Sequence, residues 1–279
     1  MKIYLTEIGT ILESEGRYIH LEAHEWDTLF QTQNVNLNSL MKAGQPITAT
    51  TFQKTKLLKP LVSQEVWAAG VTYYRSRTAR MEESRDGGSV YDRVYAAERP
   101  EIFFKATPSR AVGPGEEVYI RHDSTWDVPE PELTLAINRH GNIIGYTIGN
   151  DMSSRSIEGE NPLYLPQAKT YERCAAIGPC IYITDQPLSK ETRIRLEIRR
   201  EQQLVFSDEI ELSQMKRTPD ELVSYLFREC IFPNGCLLMT GTGIVPPHDF
   251  TLVEGDAVEI TIDGIGTLKN KVARQNKMK

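Results

Sequence analysis

The sequence predicts a strand-dominated α+β protein, and two observations support this prediction. Many short runs rich in β-branched and aromatic residues are separated by glycine and proline, as is typical of strands joined by turns. Helical patterns are few, and they do not alternate with the strands. Because a doubly wound α/β sheet requires that alternation, we expect a strand-dominated α+β fold instead.

Length and composition limit the kinds of protein that this chain can be. Its 279 residues, 40% hydrophobic and 25% charged, suit one large globular domain or a main domain with a small partner. A net charge of −6 argues against nucleic acid as the main partner. No run approaches the roughly 18 apolar residues of a membrane span, and the acidic residues near the start do not fit a signal peptide. We expect a cytoplasmic protein that has neither a nucleic-acid nor a membrane partner.

The first 60 residues differ in texture from the rest. Strand-like pieces at 2–9 and 17–23 are followed by a predicted helix near 26–30. The polar stretch 48–56 then leads to a lysine and a proline, which together are typical of a linker. We predict a small N-terminal domain over residues 1–60 and a catalytic domain over residues 61–279.

A strand-like run at 66–74 opens the second part and is followed by the charged segment 75–98. Gly87 and Gly88 divide that segment, which predicts two short helices or a helix and a flexible loop. A lid over a site and a plain surface excursion both fit the pattern.

Beyond residue 100 the chain is mainly short strands. They are predicted at 101–105, 117–121, 132–138, 143–149, 180–184, 193–199, 203–210, 237–240, 257–262 and 266–272. One helix has a clear start, because Thr218 can act as N-cap, Pro219 suits the first helical position and Glu221 completes a capping box.

The predicted hairpin at 132–149 gives the clearest indication of a functional site. A two-residue turn at His140 and Gly141 would pair residues whose numbers sum to 281. That register places Asp151 across from Glu130, with Glu132 two residues along on the same face. Small residues share this face, and large apolar residues occupy the other.

Three carboxylates beside a packed core would repel one another unless a cation lay between them. An all-oxygen set suits Mg²⁺, with Mn²⁺ or Ca²⁺ as further possibilities, better than it suits zinc. The alternative from the residues alone is three solvated charges at the mouth of an ordinary hairpin. A bulge near Pro131, which has no N–H to donate, would also shift the register.

Several motifs in order, between about residue 58 and residue 272, resemble the fumarylacetoacetate hydrolase superfamily. They are Gly70-Val71-Thr72-Tyr73, Phe103-Phe104-Lys105, Gly113-Pro114-Gly115-Glu116, Glu130-Pro131-Glu132-Leu133, residues 149–155, Lys169 ahead of Gly178-Pro179, Thr240-Gly241-Thr242 and Gly255-Asp256. The resemblance implies a catalytic domain that is a mixed β-sandwich or β-roll. It also implies a divalent metal, usually Mg²⁺, held by Glu130, Glu132 and Asp151.

One departure from the family pattern bears on the reaction. The family's C–C hydrolases carry a G-x-N-Y-x-x-H motif, whose histidine helps to activate water. Here that position holds Ser76, and a serine does not act as a general base near neutral pH. The usual activation of water is therefore not expected from this chain.

Longer runs, among them YYRSRTARMEES and NDMSSRSIEGENPLYLPQAKTYERC, resemble the branch that dehydrates 2-keto-3-deoxy sugar acids. This resemblance implies a Mg²⁺-dependent dehydratase of pentose catabolism. Its substrate would be a 2-keto-3-deoxy-pentonate of the arabinonate or xylonate type, and its product 2,5-dioxopentanoate. An acylpyruvate hydrolase, or an oxaloacetate decarboxylase or tautomerase, on the same metal platform is the alternative.

The family pattern also implies roles for individual residues. Lys169 and Glu101 are the acid–base candidates. From the residues themselves, Thr242, in a glycine-containing turn after a strand, and Arg75 and Ser76, at the start of the charged segment, are the candidates for binding the substrate. An arginine is well suited to pair with its carboxylate, and the alternatives are a plain tight turn and solvated side chains. The partner would be a small-molecule 2-keto acid, and the assembly a homodimer or homotetramer.

Overall fold

The computed structural model describes residues 1–21, 25–33, 36–75 and 88–276. The fold is strand-dominated α+β, as predicted, and contains a large sheet, a five-stranded sheet and a two-stranded sheet. Within the described ranges, no helix combines the length and the hydropathy that a bilayer crossing would need.

The large sheet has eleven strands. They are β1 (Lys2–Thr6), β2 (Gly9–Ser14), β3 (Arg17–Leu21), β4 (Gln45–Ile47), β5 (Glu65–Gly70), β6 (Glu101–Ala106), β7 (Ala111–Val112), β10 (Pro131–Ile137), β11 (Ile143–Asp151), β13 (Ala175–Tyr182) and β16 (Cys236–Met239). The order along the sheet is β4-β3-β2-β1-β13-β11-β10-β16-β5-β6, and β7 pairs with β13.

Two smaller sheets complete the β-structure. Their strands are β8 (Glu117–Ile120), β9 (Asp127–Val128), β12 (Ser153–Ser154), β14 (Arg193–Arg200), β15 (Gln203–Glu211), β17 (Ala257–Ile262) and β18 (Gly266–Arg274). The five-stranded sheet has the order β15-β14-β17-β18-β8, while β9 and β12 form the two-stranded sheet. The predicted strand at 180–184 is β13, which begins earlier, at Ala175, because the strand runs through Gly178 and Pro179 instead of starting after them.

The described helices are short. They are α1 (Glu25–Gln31), α2 (Leu37–Ala43), α3 (Ala49–Lys54), α4 (Gly88–Ala96), α5 (Arg155–Glu160), α6 (Leu165–Lys169) and α7 (Pro219–Leu226), with 3₁₀ turns at Pro162–Tyr164 and Leu212–Gln214. Helix α7 begins as predicted, since the Thr218 hydroxyl accepts from the Glu221 N–H at 3.2 Å. The stretch predicted as a linker contains helix α3. The Thr48 hydroxyl caps its N-terminus by accepting from the Thr51 N–H, and the polar composition of the stretch gave no other sign of a helix.

The large sheet is covered on both faces. The apolar core of the sandwich lies between it and the five-stranded sheet, and joins residues such as Leu135 and Ile148 to Leu196 and Ile260. A second core on the opposite face packs Phe30 of α1 and its neighbours against the sheet. The small residues of the hairpin therefore face a second hydrophobic core rather than open space.

The N-terminal region is joined to the rest through this sheet. Strand β1 pairs antiparallel with β13, with Ile3 opposite Ile181. Apolar residues of β1, β2 and β3 share the second core with residues of β5 and β16. The strand pairing shows that the two parts contribute strands to one continuous sheet. Whether residues 1–60 form an independent domain stays a prediction.

The hairpin of β10 and β11 has the predicted register over the part that matters for the site. Residue pairs sum to 281 from Pro131 with Asn150 to Ala136 with Gly145. The predicted two-residue turn is wrong, because the register shifts between Ala136 and Ile137. Gly141 closes a longer turn with a φ of +78°, as in a three-residue loop followed by a bulge. The bulge lies at the turn and not at Pro131, so the carboxylates keep their register.

Candidate active site

Strands β10 and β11 bring the three predicted carboxylates together. The Asp151 N–H donates to the Glu130 carbonyl at 2.9 Å, which continues the hairpin ladder and places these residues opposite each other. Glu132 follows on the same face. All three side chains are buried, and one ligand atom from each lies within 4.8 Å of the others. A group of oxygens this close is able to hold one hard divalent ion.

The electrostatics of Glu132 show the cost of this arrangement without a metal. Burial raises the pKa of Glu132 well above its usual value, and the negative charges of Asp151 and Glu130 raise this pKa further. The Gly241 N–H donates to Glu132 Oε2 at 2.6 Å and partly offsets these effects. The site therefore favours either a proton or a cation beside Glu132.

Two cationic side chains already contact the cluster. Lys169, at the end of α6, donates to Glu130 Oε2 at 2.6 Å, to Asp151 Oδ2 at 3.0 Å and to Ser153 Oγ at 2.6 Å. Arg155, at the start of α5, donates to Glu130 Oε1 at 2.7 Å. These contacts fix the rotation of Glu130 and hold the Lys169 ammonium beside two of the three carboxylates.

The carboxylates line a small cavity whose charge supports a divalent ion. Five acidic side chains line it, and they are Glu101, Glu130, Glu132, Asp151 and Glu158. Arg155 and Lys169 also line it. A third cation, Lys105, does not line the cavity but contacts Asp151. Five negative and three positive formal charges leave two negative charges, which one divalent ion would balance. The donor set and the charge both fit Mg²⁺.

Both acid–base candidates lie at this cavity. Lys169 is buried, and Glu101 is the first residue of β6, opposite Gly70 of β5. A Cβ at Gly70 would lie 2.0 Å from Glu101 Oε2, so any other residue here would force this carboxylate out of its present position. The structure thus brings Glu101 and Lys169 to the same cavity as the carboxylate cluster.

The predicted substrate-binding residues are less uniform. Thr242 lines the cavity, but its hydroxyl accepts from the Ile244 N–H at 3.1 Å and so stabilises its own turn. Arg75 does not line the cavity and forms an ion pair with Asp208 of β15 at 2.6 Å. Ser76 lies outside the described residues, as does most of the first half of the predicted lid.

Three residues of the site were not predicted, namely Lys105, Arg155 and Glu158. Arg155 and Glu158 are three residues apart in α5, and both are buried at the cavity. Lys105 follows three apolar residues in β6 and precedes an alanine, and a charged residue in this position was the available signal. Lys105 could have been recognised from this signal, because an ionised side chain is seldom buried in a strand without a specific partner.

Asp127 of β9 is another buried acid, and it is expected to make the stability of the protein depend on pH. Desolvation by burial raises the pKa of Asp127 to about 6, from an ordinary value of 3.8. An acid with a raised folded-state pKa loses stability as pH rises between these two values, because the unfolded chain releases its proton first. Asp127→Asn should remove this loss, which is roughly 2–3 kcal/mol.

The prediction is checked by urea unfolding of the metal-free wild type and of Asp127→Asn at pH 4 and pH 7.5. The free energy of unfolding of the variant minus that of the wild type should be larger at pH 7.5 than at pH 4 by about that amount, which means that the variant gains stability relative to the wild type as pH rises. The same difference at both pH values would show that Asp127 ionises normally in the folded protein.

Comparison with known proteins places this site in a family. A family model described as fumarylacetoacetate (FAA) hydrolase C-terminal matches residues 66–273. A Haloferax volcanii protein named probable 2-keto-3-deoxyxylonate dehydratase is 53% identical over 215 residues, which cover 76% of this chain and 73% of that protein. The 2-dehydro-3-deoxy-D-arabinonate dehydratase of Saccharolobus solfataricus is 42% identical over 250 residues, which cover 88% of this chain and 81% of that protein.

The fold comparison agrees with the sequence comparison. A solved structure of 2-keto-3-deoxy-D-arabinonate dehydratase complexed with magnesium and 2,5-dioxopentanoate superposes with a TM-score of 0.84 and 35% identity. The match covers 99% of this chain and 100% of that chain. Because the family model spans most of the sequence and the similar structure spans nearly all of it, this chain belongs to the fumarylacetoacetate hydrolase C-terminal family.

Proposed function

We propose that this chain is a Mg²⁺-dependent dehydratase that converts a 2-keto-3-deoxy-pentonate, of the arabinonate or xylonate type, to 2,5-dioxopentanoate. The observation that carries the proposal is the cavity itself. It combines three carboxylates suited to a hard divalent ion with Lys169 and Glu101, in a chain whose similar relatives are named as dehydratases.

Glu130, Glu132 and Asp151 would hold the metal. A bound divalent ion supplies a Lewis acid, which makes the C3 proton of a chelating 2-keto acid more acidic. The protein supplies the rest of the site. Burial of the carboxylates excludes water from the ligand positions, and the contacts of Lys169 and Arg155 keep Glu130 in one orientation.

The proton transfers are assigned to Lys169 and Glu101. Dehydration removes the C3 proton and expels the C4 hydroxyl as water. Transfer of a proton from C5 to C3 then moves the double bond next to the C5 hydroxyl, and this enol becomes the C5 aldehyde. An acid and a base on the cavity wall are sufficient for these steps, and the two candidates line the same cavity.

The cavity also favours dehydration over hydrolysis. No histidine is found among the described residues that line it. Hydrolysis of a C–C bond needs a base that turns water into hydroxide, whereas dehydration needs no attacking water. The residues present therefore suit dehydration better than hydrolysis.

A substrate panel with Mg²⁺ tests the proposal. We expect 2,5-dioxopentanoate to form from at least one 2-keto-3-deoxy-pentonate. Its kcat/KM should exceed that for cleavage of acylpyruvates, or for decarboxylation or tautomerisation of oxaloacetate, by at least about a hundredfold, a preference that one set of buried polar contacts can produce. Efficient acylpyruvate cleavage with no dehydration of any pentonate would overturn the proposal.

Two further expectations are proposed on the same footing. They are a cytoplasmic location and a homodimer or homotetramer. Sedimentation of the purified protein at several concentrations would measure the second directly.

A further inference from the structure

Lys105 is a second lysine at the site, and neither proton-transfer step uses it. It lies in β6 and has no exposed surface. Burying an ammonium group is costly unless oxygens surround it, so a lysine in this position requires specific partners. It does not line the cavity, although it contacts Asp151, which does.

The partners of Lys105 come from two segments that are distant from its own strand. Its Nζ forms an ion pair with Asp151 Oδ1 at 2.6 Å, at the end of β11. It donates to the Met152 carbonyl at 2.9 Å, and it also donates to the carbonyl of Lys169 at the end of α6. Three oxygens surround this ammonium: it donates hydrogen bonds to two of them, and the third, Asp151 Oδ1, forms the ion pair without hydrogen-bond geometry. Two of them are backbone carbonyls, whose positions are set by the fold.

Asp151 is therefore held by two lysines on its two oxygens. Oδ1 faces Lys105, and Oδ2 faces Lys169 at 3.0 Å. Because Lys105 is anchored to backbone, its ion pair with Oδ1 favours one rotation of the carboxylate about the Cβ–Cγ bond through charge attraction, without hydrogen-bond geometry. The same ammonium holds the backbone of Lys169, and so sets how far the Lys169 side chain must reach to the cluster.

We propose that Lys105 is a positioning residue, which orients Asp151 as a metal ligand and fixes Lys169 relative to it. The proposal rests on the proposed binding of a divalent ion by Glu130, Glu132 and Asp151. It assigns to Lys105 an effect on metal affinity and on kcat, with no contact to the substrate.

The sign of the change in metal affinity separates this role from its alternatives. Removal of a positive charge near the ligands should by itself make Mg²⁺ bind more tightly. Loss of the fixed orientation of Asp151 should make Mg²⁺ bind more weakly, as loss of supporting contacts behind metal ligands does, by roughly 10–100-fold. A purely structural role would lower the melting temperature without weakening Mg²⁺ binding.

The test is Lys105→Met, measured by calorimetric titration with Mg²⁺ at a temperature where circular dichroism shows the variant folded. We expect the Kd for Mg²⁺ to rise about tenfold or more. We also expect kcat at saturating Mg²⁺ to fall while KM for the pentonate changes little. If Lys105→Met does not fold, Lys105→Gln keeps a neutral donor, and its Kd for Mg²⁺ should still rise above the wild-type value.

Lys59→Met is the matched control. Lys59 is also a partly buried lysine that donates to two backbone carbonyls, those of Pro108 and Ala111, and it does not contact the cavity. This control should lower stability without changing Kd or kcat.

An unchanged or lower Kd for Mg²⁺ in both variants of Lys105 would overturn the positioning role. The proposed reaction would still stand, because it is tested by the wild-type protein. A wild type that binds Mg²⁺ but dehydrates no pentonate would overturn the proposed reaction alone. The Kd for Mg²⁺ of the Lys105 variants would still test the positioning role.

Discussion

Glu132→Gln is expected to abolish turnover while the protein remains folded. Glu132 is one of three carboxylates whose ligand atoms lie within 4.8 Å of one another, and a neutral amide is a poor replacement for a charged ligand. Loss of the Lewis acid removes several kcal/mol of transition-state stabilisation, which is at least about 10³-fold in rate. The Gln side chain keeps an oxygen that can accept from the Gly241 N–H, as Glu132 does at 2.6 Å.

The metal-free variant should be at least as stable as the wild type at neutral pH. The raised pKa of Glu132 means that its ionised form opposes folding, and that stability falls as pH rises from its ordinary value of 4.5 towards its folded-state pKa. Removing the charge removes this loss. Thermal melts in EDTA measure the change in stability, calorimetric titration with Mg²⁺ measures the change in metal affinity, and kcat measures the change in turnover.

Glu172→Gln is a suitable control, because Glu172 is exposed and pairs only weakly with Arg110 at the surface. EDTA should also inactivate the wild type, and added Mg²⁺ should restore its activity. Full activity in thoroughly metal-free protein, or normal activity in Glu132→Gln, would show that the carboxylate cluster does not hold a catalytic metal.

Lys169→Met is expected to lower kcat by roughly 10²–10⁴-fold, the usual contribution of one acid–base group. Lys169 is buried and its Nζ lies between Glu130 and Asp151, so methionine would keep much of the volume without the ammonium. Affinity for Mg²⁺ should not fall, since the change removes a positive charge from beside two of the proposed ligands.

A change in thermal stability accompanies this prediction. Without metal, Lys169→Met leaves two buried carboxylates with one fewer cation, and the melting temperature should fall. Saturating Mg²⁺ should restore more of the melting temperature in the variant than in the wild type, because it replaces the lost charge. A kcat within threefold (an order-of-magnitude criterion, about 0.7 kcal/mol) of the wild type would rule out Lys169 as an acid–base group.

The arrangement of the carboxylates could be predicted because strand alternation has a fixed period. Once Glu130 and Asp151 are placed opposite each other, Glu132 must share their face. The sequence did not reveal the bulge between Ala136 and Ile137, because turn type depends on backbone angles near Gly141 that several turns could satisfy. The register survived because the extra residue lies between the turn and the site.

Other features could not be read from the sequence, since they depend on distant segments. Lys105 matters because two distant chain segments, residues 151–152 and the end of α6, converge on its ammonium, and their convergence is a property of the folded protein. Arg75 was expected at the substrate, but the structure pairs it with Asp208, which is distant in the sequence. Helix α3 was missed because it is short and polar, so its cap was the sole signal.

The pairing of β1 with β13 has a consequence for how the chain is made. Ile3 is synthesised well before its partner Ile181, which lies in a much later part of the sequence. At roughly 5–20 residues per second, the first strands wait on the order of ten seconds or more for the edge on which they finally lie. Until then β1 exposes an unpaired strand edge, which invites association with other chains. The growing polypeptide would therefore benefit most from a chaperone during the interval before β13 appears.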